Sequence, residues 1–155
     1  MGDLRLRVPR SLNSTFSSVV SATDYVPECV GYGVSITWNP LALEYTDASI
    51  QSDQWPYPVS EDCLYVNIIR PANYSAYKEP LPVAIWLHGG GWRMGGNADR
   101  RYNMSFIVQN SVEIGKPFIA VQPNYRLSAW GFLAGDQVSG SGNTNLGLRD
   151  QRLGE

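Results

Sequence analysis

One stretch, LPVAIWLHGGGW at residues 81–92, constrains the fold of this chain more than any other. Residues 81–88 are almost continuously apolar up to His88, the chain's only histidine, and three glycines follow. Such a run is typical of a strand that is buried on both faces, as in the centre of a parallel sheet. Ligands of open α/β sheets bind at the carboxyl ends of strands, so the glycines predict a binding turn.

The segments around this strand favour an α/β sheet. Residues 64–69 and 118–122 are rich in β-branched and aromatic side chains and predict two further strands. Residues 105–115 predict a helix that Ser105 caps and Gly115 ends. The order of strand, helix and strand implies a right-handed crossover connection.

The rest of the chain is less periodic. Residues 8–60 are rich in Pro, Ser, Thr, Asn and Gly and predict loops with short strands. Residues 135–145 predict a polar loop, and a final helix begins at residue 146. With 155 residues, 43% of them hydrophobic, the chain has the size and composition of one globular domain.

Charge and hydropathy exclude several classes of partner. Twelve basic and fourteen acidic residues give a net charge of -2 without a basic stripe, which argues against a nucleic-acid partner. No run of about eighteen apolar residues occurs, so no transmembrane segment is predicted. The first residues also lack the apolar stretch of a signal peptide.

The cysteines and glycosylation sequons bear on the cellular compartment. Two cysteines, Cys29 and Cys63, accompany three N-x-S/T sequons, at Asn13, Asn73 and Asn103. Two buried free thiols are one interpretation. An even cysteine count together with three sequons favours a secretory protein instead.

The glycines after His88 offer backbone N–H groups that suit an anion. A phosphate-binding P-loop would need a lysine and a hydroxyl where Asn97 and Ala98 stand, and a dinucleotide fingerprint would need a glycine at Met94. The oxyanion of an acyl-transfer intermediate fits better, because α/β-hydrolase esterases have an HGGG segment after their third strand. The plainer alternative is a glycine-rich turn without a chemical role.

Three further segments identify a family. They are SEDCLYVNIIRP (60–71), PNYRLSAWGFLAG (123–135) and GNTNLGLRDQRLGE (142–155), and in order and spacing they resemble signature segments of the type-B carboxylesterases. This family contains the cholinesterases and fungal lipases. The opening GDLRLRVPRSLNS is similar to a stretch near the family's N-terminus, and residues 99–135 are most similar to its fungal branch.

The resemblance implies a partial α/β-hydrolase fold. Residues 1–155 would form the N-terminal part of its central mixed sheet with crossover helices, in a domain truncated at the C-terminus and also at the N-terminus. The resemblance makes Gly90 and Gly91 donors of backbone N–H groups to the oxyanion, with a third donor after the nucleophilic serine. It makes His88 a structural residue of the loop and not the general base.

The resemblance also implies scaffold contacts. These are a disulfide between Cys29 and Cys63 and two buried ion pairs, Arg5–Glu61 and Arg126–Asp150. Four solvated charges are the plainer alternative for the ion pairs.

The catalytic triad is absent from the sequence. The nearest approach to the G-x-S-x-G pattern is VSGSG at 138–142, where Ser139 stands in place of the first glycine. By resemblance the serine, acid and histidine would lie beyond Glu155, so the 155 residues alone are expected to be inactive. Strand 81–88 would then be an open edge, which favours aggregation.

Three hypotheses of function follow. In the first, the parent protein is a secreted glycoprotein that hydrolyses small-molecule or lipid esters through an acyl-serine intermediate, with no metal or organic cofactor. In the second, it is a cholinesterase-like binding protein that lacks the serine. In the third, the chain is an inactive truncated fragment. The sequence predicts neither the particular ester nor the oligomeric state.

Overall fold

Four short strands precede the first α-helix, a fifth strand follows that helix, and three more α-helices end the described chain. The computed structural model describes residues 4–11, 15–18, 20–32 and 58–154. The strands in these residues are β1 (Glu28–Cys29), β2 (Val59–Ser60), β3 (Val66–Ile69), β4 (Val83–Ile85) and β5 (Ile119–Pro123). The α-helices are α1 (Ser105–Glu113), α2 (Ser128–Phe132), α3 (Asp136–Gly140) and α4 (Leu146–Gly154), and 3-10 helices cover Tyr74–Ala76 and Arg100–Tyr102.

The main sheet has the order β3-β5-β4. β5 pairs with β4 in parallel, with Ile85 opposite Val121, and pairs with β3 in the antiparallel sense, with Ile68 opposite Val121. Because α1 lies between β4 and β5 in the chain, these elements form the predicted strand, helix and strand connection. The predicted α/β architecture with a mixed sheet is therefore confirmed.

The expected burial of the strand at 81–88 on both faces is wrong for the residues described, whereas the open edge expected for residues 1–155 is confirmed. β4 spans three residues, and its side chains are exposed, with Val83 at 57% and Ile85 at 44%. In the part of the chain that the structure describes, β4 pairs with β5 alone, so it is an edge strand. The apolar pattern identified the strand, but burial depends on neighbours that the pattern does not contain.

Two local predictions need correction. Ser105 does not cap α1, because the side-chain oxygen of Asn103 accepts the Ser105 N–H at 3.0 Å. Gly115 does follow the helix, with a positive φ of 69°. The predicted loop at 135–145 contains the helix α3, in which the Ser141 amide bonds locally to carbonyls of the preceding turn.

The N-terminal half contributes a second, two-stranded sheet. β1 and β2 pair in parallel, with Glu28 opposite Val59. Cys29 and Cys63 form the disulfide that the family resemblance implied, and both are buried against Tyr125 and Leu127. Within the described part of residues 8–60 the segments are irregular apart from such short strands, as predicted, and residues 33–57 lie outside the described residues.

Removal of this disulfide is expected to destabilise the protein. The bridge joins residues 34 positions apart, and loss of such a crosslink typically costs about 2–5 kcal/mol of unfolding free energy. Urea denaturation of the full-length protein should show this loss in a variant carrying Cys29→Ala and Cys63→Ala, and in the wild type under reducing conditions. Equal transition midpoints with and without the bridge would contradict it.

Candidate active site

The glycine turn after β4 has a backbone that few side chains tolerate. Gly90 and Gly91 have φ values of 120° and 61°, and Trp92 follows at 57°. A Cβ added at Gly90 would collide with the carbonyl oxygen of Met94, whereas one at Gly91 would meet open space. Gly90 is therefore required by both conformation and room, whereas the positive φ of Gly91 only favours glycine.

This turn leaves two backbone donors without acceptors. Among the described residues, the N–H groups of Gly90 and Gly91 make no hydrogen bond, and both residues are exposed. The turn is closed by a different bond, from the Arg93 N–H to the Gly90 carbonyl at 3.1 Å. Adjacent unpaired N–H groups on a fixed backbone are suited to bind an anionic oxygen.

The start of the turn is anchored on β5 and the residues after it. The Tyr125 hydroxyl donates to the His88 carbonyl at 2.7 Å, and the two rings stack with centroids 4.3 Å apart. Both residues are buried. The hydrogen bond from Tyr125 therefore fixes the carbonyl of the peptide between His88 and Gly89.

The end of the turn is anchored by amide side chains. The Asn97 N–H donates to the Asn124 side-chain oxygen at 2.8 Å, and the Asn97 side chain donates to the Gln122 carbonyl at 2.8 Å. The Asn97 carbonyl accepts from the Asn67 side chain at 3.0 Å. Two strands, β3 and β5, therefore hold the residue at which the loop returns to the core.

His88 lies beneath the turn as a buried, neutral ring. Its Nδ1 lies 3.0 Å from the Gly89 carbonyl, to which it donates in the neutral tautomer, and its buried Nε2 has no partner among the described residues. Burial lowers the pKa of His88, and it outweighs the Gly89 carbonyl and the Asp99 carboxylate, which both act to raise it. The burial of this ring and its contact with the Gly89 carbonyl agree with the structural role that the resemblance implies.

A pH dependence of stability follows from the neutral His88. Because its folded-state pKa is below the ordinary 6.5, the unfolded chain binds the proton more readily. The contribution of neutral His88 to the free energy of unfolding is fully present above pH 6.5 and is lost as the pH falls below 6.5. Melting temperatures between pH 7.5 and 5 should fall more steeply for the wild type than for His88→Gln. Parallel pH profiles would contradict this assignment.

The two ion pairs expected from the family resemblance differ in environment. Arg126 and Asp150 are paired at 2.6 Å with side chains 3% and 1% exposed. Arg5 and Glu61 are paired at 2.7 Å, but the Arg5 side chain is 63% exposed. The expected burial of the second pair is therefore wrong, because Arg5 lies on the surface and reaches Glu61 from outside.

The sequons occupy exposed positions where the structure describes them. Asn73 precedes the 3-10 helix Tyr74–Ala76, and Asn103 precedes α1. Both residues are exposed, whereas Asn13 lies outside the described residues. The side-chain nitrogen of Asn103 makes no bond in the described part of the chain, so its engaged oxygen does not preclude attachment of a glycan.

Sequence reasoning missed the residues that hold the turn. Tyr125, Asn97 and Asn124 were not identified as site residues, although Tyr125 and Asn124 lie in the PNYRLSAWGFLAG segment used to identify the family. Each acts through a contact with a residue more than 25 positions away in the chain. The presence of Asn124 and Tyr125 in a family signature segment could have marked them as site residues, but it did not indicate which residues they contact.

Comparisons with known proteins agree on one family. The model of the Carboxylesterase family matches residues 1–154. Lipase 4 of Diutina rugosa is 35% identical over 99% of this chain, and secreted lipase 1 of Botryotinia fuckeliana is 38% identical over 99% of it. An inactive carboxylesterase-like protein, VdtD of Byssochlamys spectabilis, is 45% identical over 62% of the chain and 16% of its own length.

A solved structure shows the fold. The crystal structure of Aspergillus niger EstA, an α/β-hydrolase, matches 98% of this chain with a TM-score of 0.69 and 33% sequence identity. The chain covers 25% of that structure, and it spans 28% of lipase 4 and 27% of secreted lipase 1. It therefore has a partial α/β-hydrolase fold. None of the helices in the described residues has the length and apolar character needed to cross a membrane.

Proposed function

The chain belongs to the carboxylesterase family, and on this premise we propose that the full-length protein is a carboxylic ester hydrolase that acts through an acyl-serine intermediate. Gly90 and Gly91 supply two of the three N–H groups of its oxyanion hole. The third comes from the residue after the nucleophilic serine. A serine whose proton is taken by a histidine base and passed to the leaving alcohol, together with the N–H donors, suffices for acyl transfer to water, so the mechanism calls for no metal or organic cofactor.

One observation carries this proposal: the N–H groups of Gly90 and Gly91 are exposed and have no acceptor in the described residues. When a nucleophile attacks an ester, negative charge develops on the carbonyl oxygen. Donors already held in place stabilise that charge without reorganising, and one such donor is worth about 10²–10³ in kcat. The turn supports this use, because hydrogen bonds from Tyr125 and to Asn124 hold its two ends.

The chain supplies the electrostatic part of the site and not the nucleophile. We place the serine, the acid and the second histidine in residues outside 1–155, since the chain spans 28% of lipase 4. Residues 1–155 are then one part of a larger α/β-hydrolase domain. On their own they are inactive.

A fluorophosphonate probe tests the proposed function. The full-length protein should be labelled on one serine in a 1:1 ratio and lose esterase activity in step with labelling. Residues 1–155 expressed alone should take up no label. A full-length protein that neither hydrolyses p-nitrophenyl esters nor reacts with the probe would refute the proposal.

A second candidate function is that of a non-catalytic binding protein. The relative VdtD, an inactive carboxylesterase-like protein, shows 45% identity to part of this chain. In this case the serine of the full-length protein is replaced and the probe does not react, although ester analogues still bind. A product that ends near residue 155 would instead be an inactive fragment, and its mass would show this.

The relatives guide the choice of substrate and location. Several of the relatives are named as lipases, and two of those names include the word secreted. We therefore assign the full-length protein to the secretory pathway and to small-molecule or lipid esters. The buried Cys29–Cys63 disulfide supports an oxidising compartment.

Glycosylation of the secreted protein is expected at Asn73 and Asn103. Both side chains are exposed, so the glycan would meet solvent. After secretion from a eukaryotic host, removal of N-glycans should increase gel mobility, and Asn73→Gln and Asn103→Gln should each reduce that shift. Asn110→Gln is the matched control, since Asn110 is exposed but stands outside a sequon. No shift on enzymatic deglycosylation would contradict the assignment.

A further inference from the structure

Ser128, at the start of α2, has a strained backbone for a residue with a side chain. Its φ is 51°, in the left-handed region that favours glycine. Such a conformation persists only where surrounding contacts impose it, and such residues cluster at active sites, ligand clamps and switch regions. The contacts that Ser128 makes are therefore informative.

Both polar groups of Ser128 bond to the segment just after the glycines. Its N–H donates to the Trp92 carbonyl at 2.7 Å, and its hydroxyl donates to the Arg93 carbonyl at 3.0 Å. The Tyr32 N–H also donates to the Arg93 carbonyl, at 2.7 Å. The strained residue thus holds two consecutive peptide units of the turn.

Peptide geometry transmits this constraint to the oxyanion donor. In a trans peptide the C=O and N–H point in opposite directions. With the Trp92 carbonyl held by Ser128, the N–H of the same peptide, that of Arg93, points the other way, and it donates to the Gly90 carbonyl at 3.1 Å. The Gly90 carbonyl and the Gly91 N–H belong to the same peptide, so the Gly91 N–H points away from Arg93. In that direction it has no acceptor among the described residues.

We propose that Ser128 is a positioning residue for the Gly91 N–H donor. Its N–H and its hydroxyl together hold the Trp92 and Arg93 carbonyls, one on each side of Arg93, and so orient the Arg93 N–H that holds the Gly90 carbonyl. The role of Ser128 rests on the proposed oxyanion function of Gly91. Ser128 does not touch the substrate. It fixes the orientation of a peptide that would otherwise rotate, because glycine places almost no restriction on that rotation.

The side chain and the strain of Ser128 can be tested separately. Ser128→Ala removes the hydroxyl bond and keeps the strain, whereas Ser128→Gly removes the bond and tolerates the positive φ. Neither leaves the Arg93 carbonyl unpaired, since Tyr32 still donates to it, so the fold should persist. Ser141→Ala is the matched control, because the Ser141 hydroxyl makes a similar bond to the Val138 carbonyl at 2.7 Å in α3.

In the full-length protein, both Ser128 variants should lower kcat for p-nitrophenyl esters about tenfold, a fraction of the loss expected when one oxyanion donor is removed. The KM and the melting temperature should stay near those of the wild type, as should every parameter of Ser141→Ala. A purely structural role would lower the melting temperature and leave the kcat of the folded enzyme unchanged. Wild-type kcat in both Ser128 variants would overturn the proposal.

Hydrogen exchange separates this proposal from the proposed function. Ser128→Gly should speed deuterium uptake in a peptide covering residues 89–95, and Ser141→Ala should not. If the wild type has no esterase activity, the proposed function fails, and faster uptake still supports the positioning contact. Uptake equal to that of the wild type would refute it whatever the activity.

Discussion

Replacing Asp150 with alanine is expected to lower the free energy of unfolding by about 3–5 kcal/mol, since it leaves a buried guanidinium without its counter-charge. The Asp150 carboxylate accepts the Arg126 N–H at 3.0 Å, its Nε at 2.7 Å and its Nη2 at 2.6 Å. Arg126 also donates from Nη1 to the Arg7 carbonyl at 2.8 Å. The pair thus joins α4, the residues after β5 and the N-terminal segment.

The exposed ion pair provides the control. Arg5→Ala removes the same kind of arginine–carboxylate contact, from a side chain that is 63% exposed, and should cost less than about 1 kcal/mol. Urea denaturation of the full-length protein and both variants measures the difference. Equal losses in Asp150→Ala and Arg5→Ala would contradict the importance assigned to burial.

Gly90→Ala is expected to lower kcat for ester hydrolysis by about 10²-fold or more, the scale of a lost oxyanion donor. The added Cβ would collide with the Met94 carbonyl, and φ at this position is 120°. The turn must therefore change shape, which moves the N–H groups of both Gly90 and Gly91.

Gly89→Ala is the control for this change. A Cβ at Gly89 meets nothing within 4 Å, and the φ of Gly89 is not in the left-handed region. Its kcat should stay within a few-fold of the wild type, and melting temperatures should confirm that all three proteins are folded. A Gly90→Ala enzyme as active as Gly89→Ala would show that the glycine turn does not hold the oxyanion.

The parts of the fold that local sequence could predict are those with strong local patterns. The apolar run before His88, the β-rich run at 118–122 and the segment between them that Gly115 ends correctly predicted β4, β5 and α1, although the predicted cap at Ser105 was wrong. Period and end signals within one segment determine such elements. The family resemblance, and not periodicity, gave the pairing of Cys29 with Cys63.

The failures concern properties that depend on distant neighbours. The apolar residues of β4 predicted burial, but exposure depends on which elements cover the strand. Arg5 was expected to be buried because its family counterpart suggested it, and its position on the surface is a tertiary property. Ser128 carries no local signal of a positive φ, since the contacts that impose it come from residues 92 and 93.

The candidate site divides in the same way. The family resemblance indicated Gly90 and Gly91 as its donors, and their positive φ values favour glycine. That their N–H groups bind an oxyanion stays a prediction. Its supports, Tyr125 and Asn97, are ordinary polar residues in sequence. Their importance depends on hydrogen bonds to residues 27 or more positions away, which no local pattern records.

The most direct test of the account is a crystal structure of the full-length protein after reaction with a fluorophosphonate. The phosphonyl oxygen mimics the oxyanion of the tetrahedral intermediate. We predict that it lies about 2.7–3.1 Å from the backbone nitrogens of both Gly90 and Gly91. A phosphonyl oxygen bound by other groups, with either glycine N–H directed elsewhere, would contradict the assignment of this turn as the oxyanion hole.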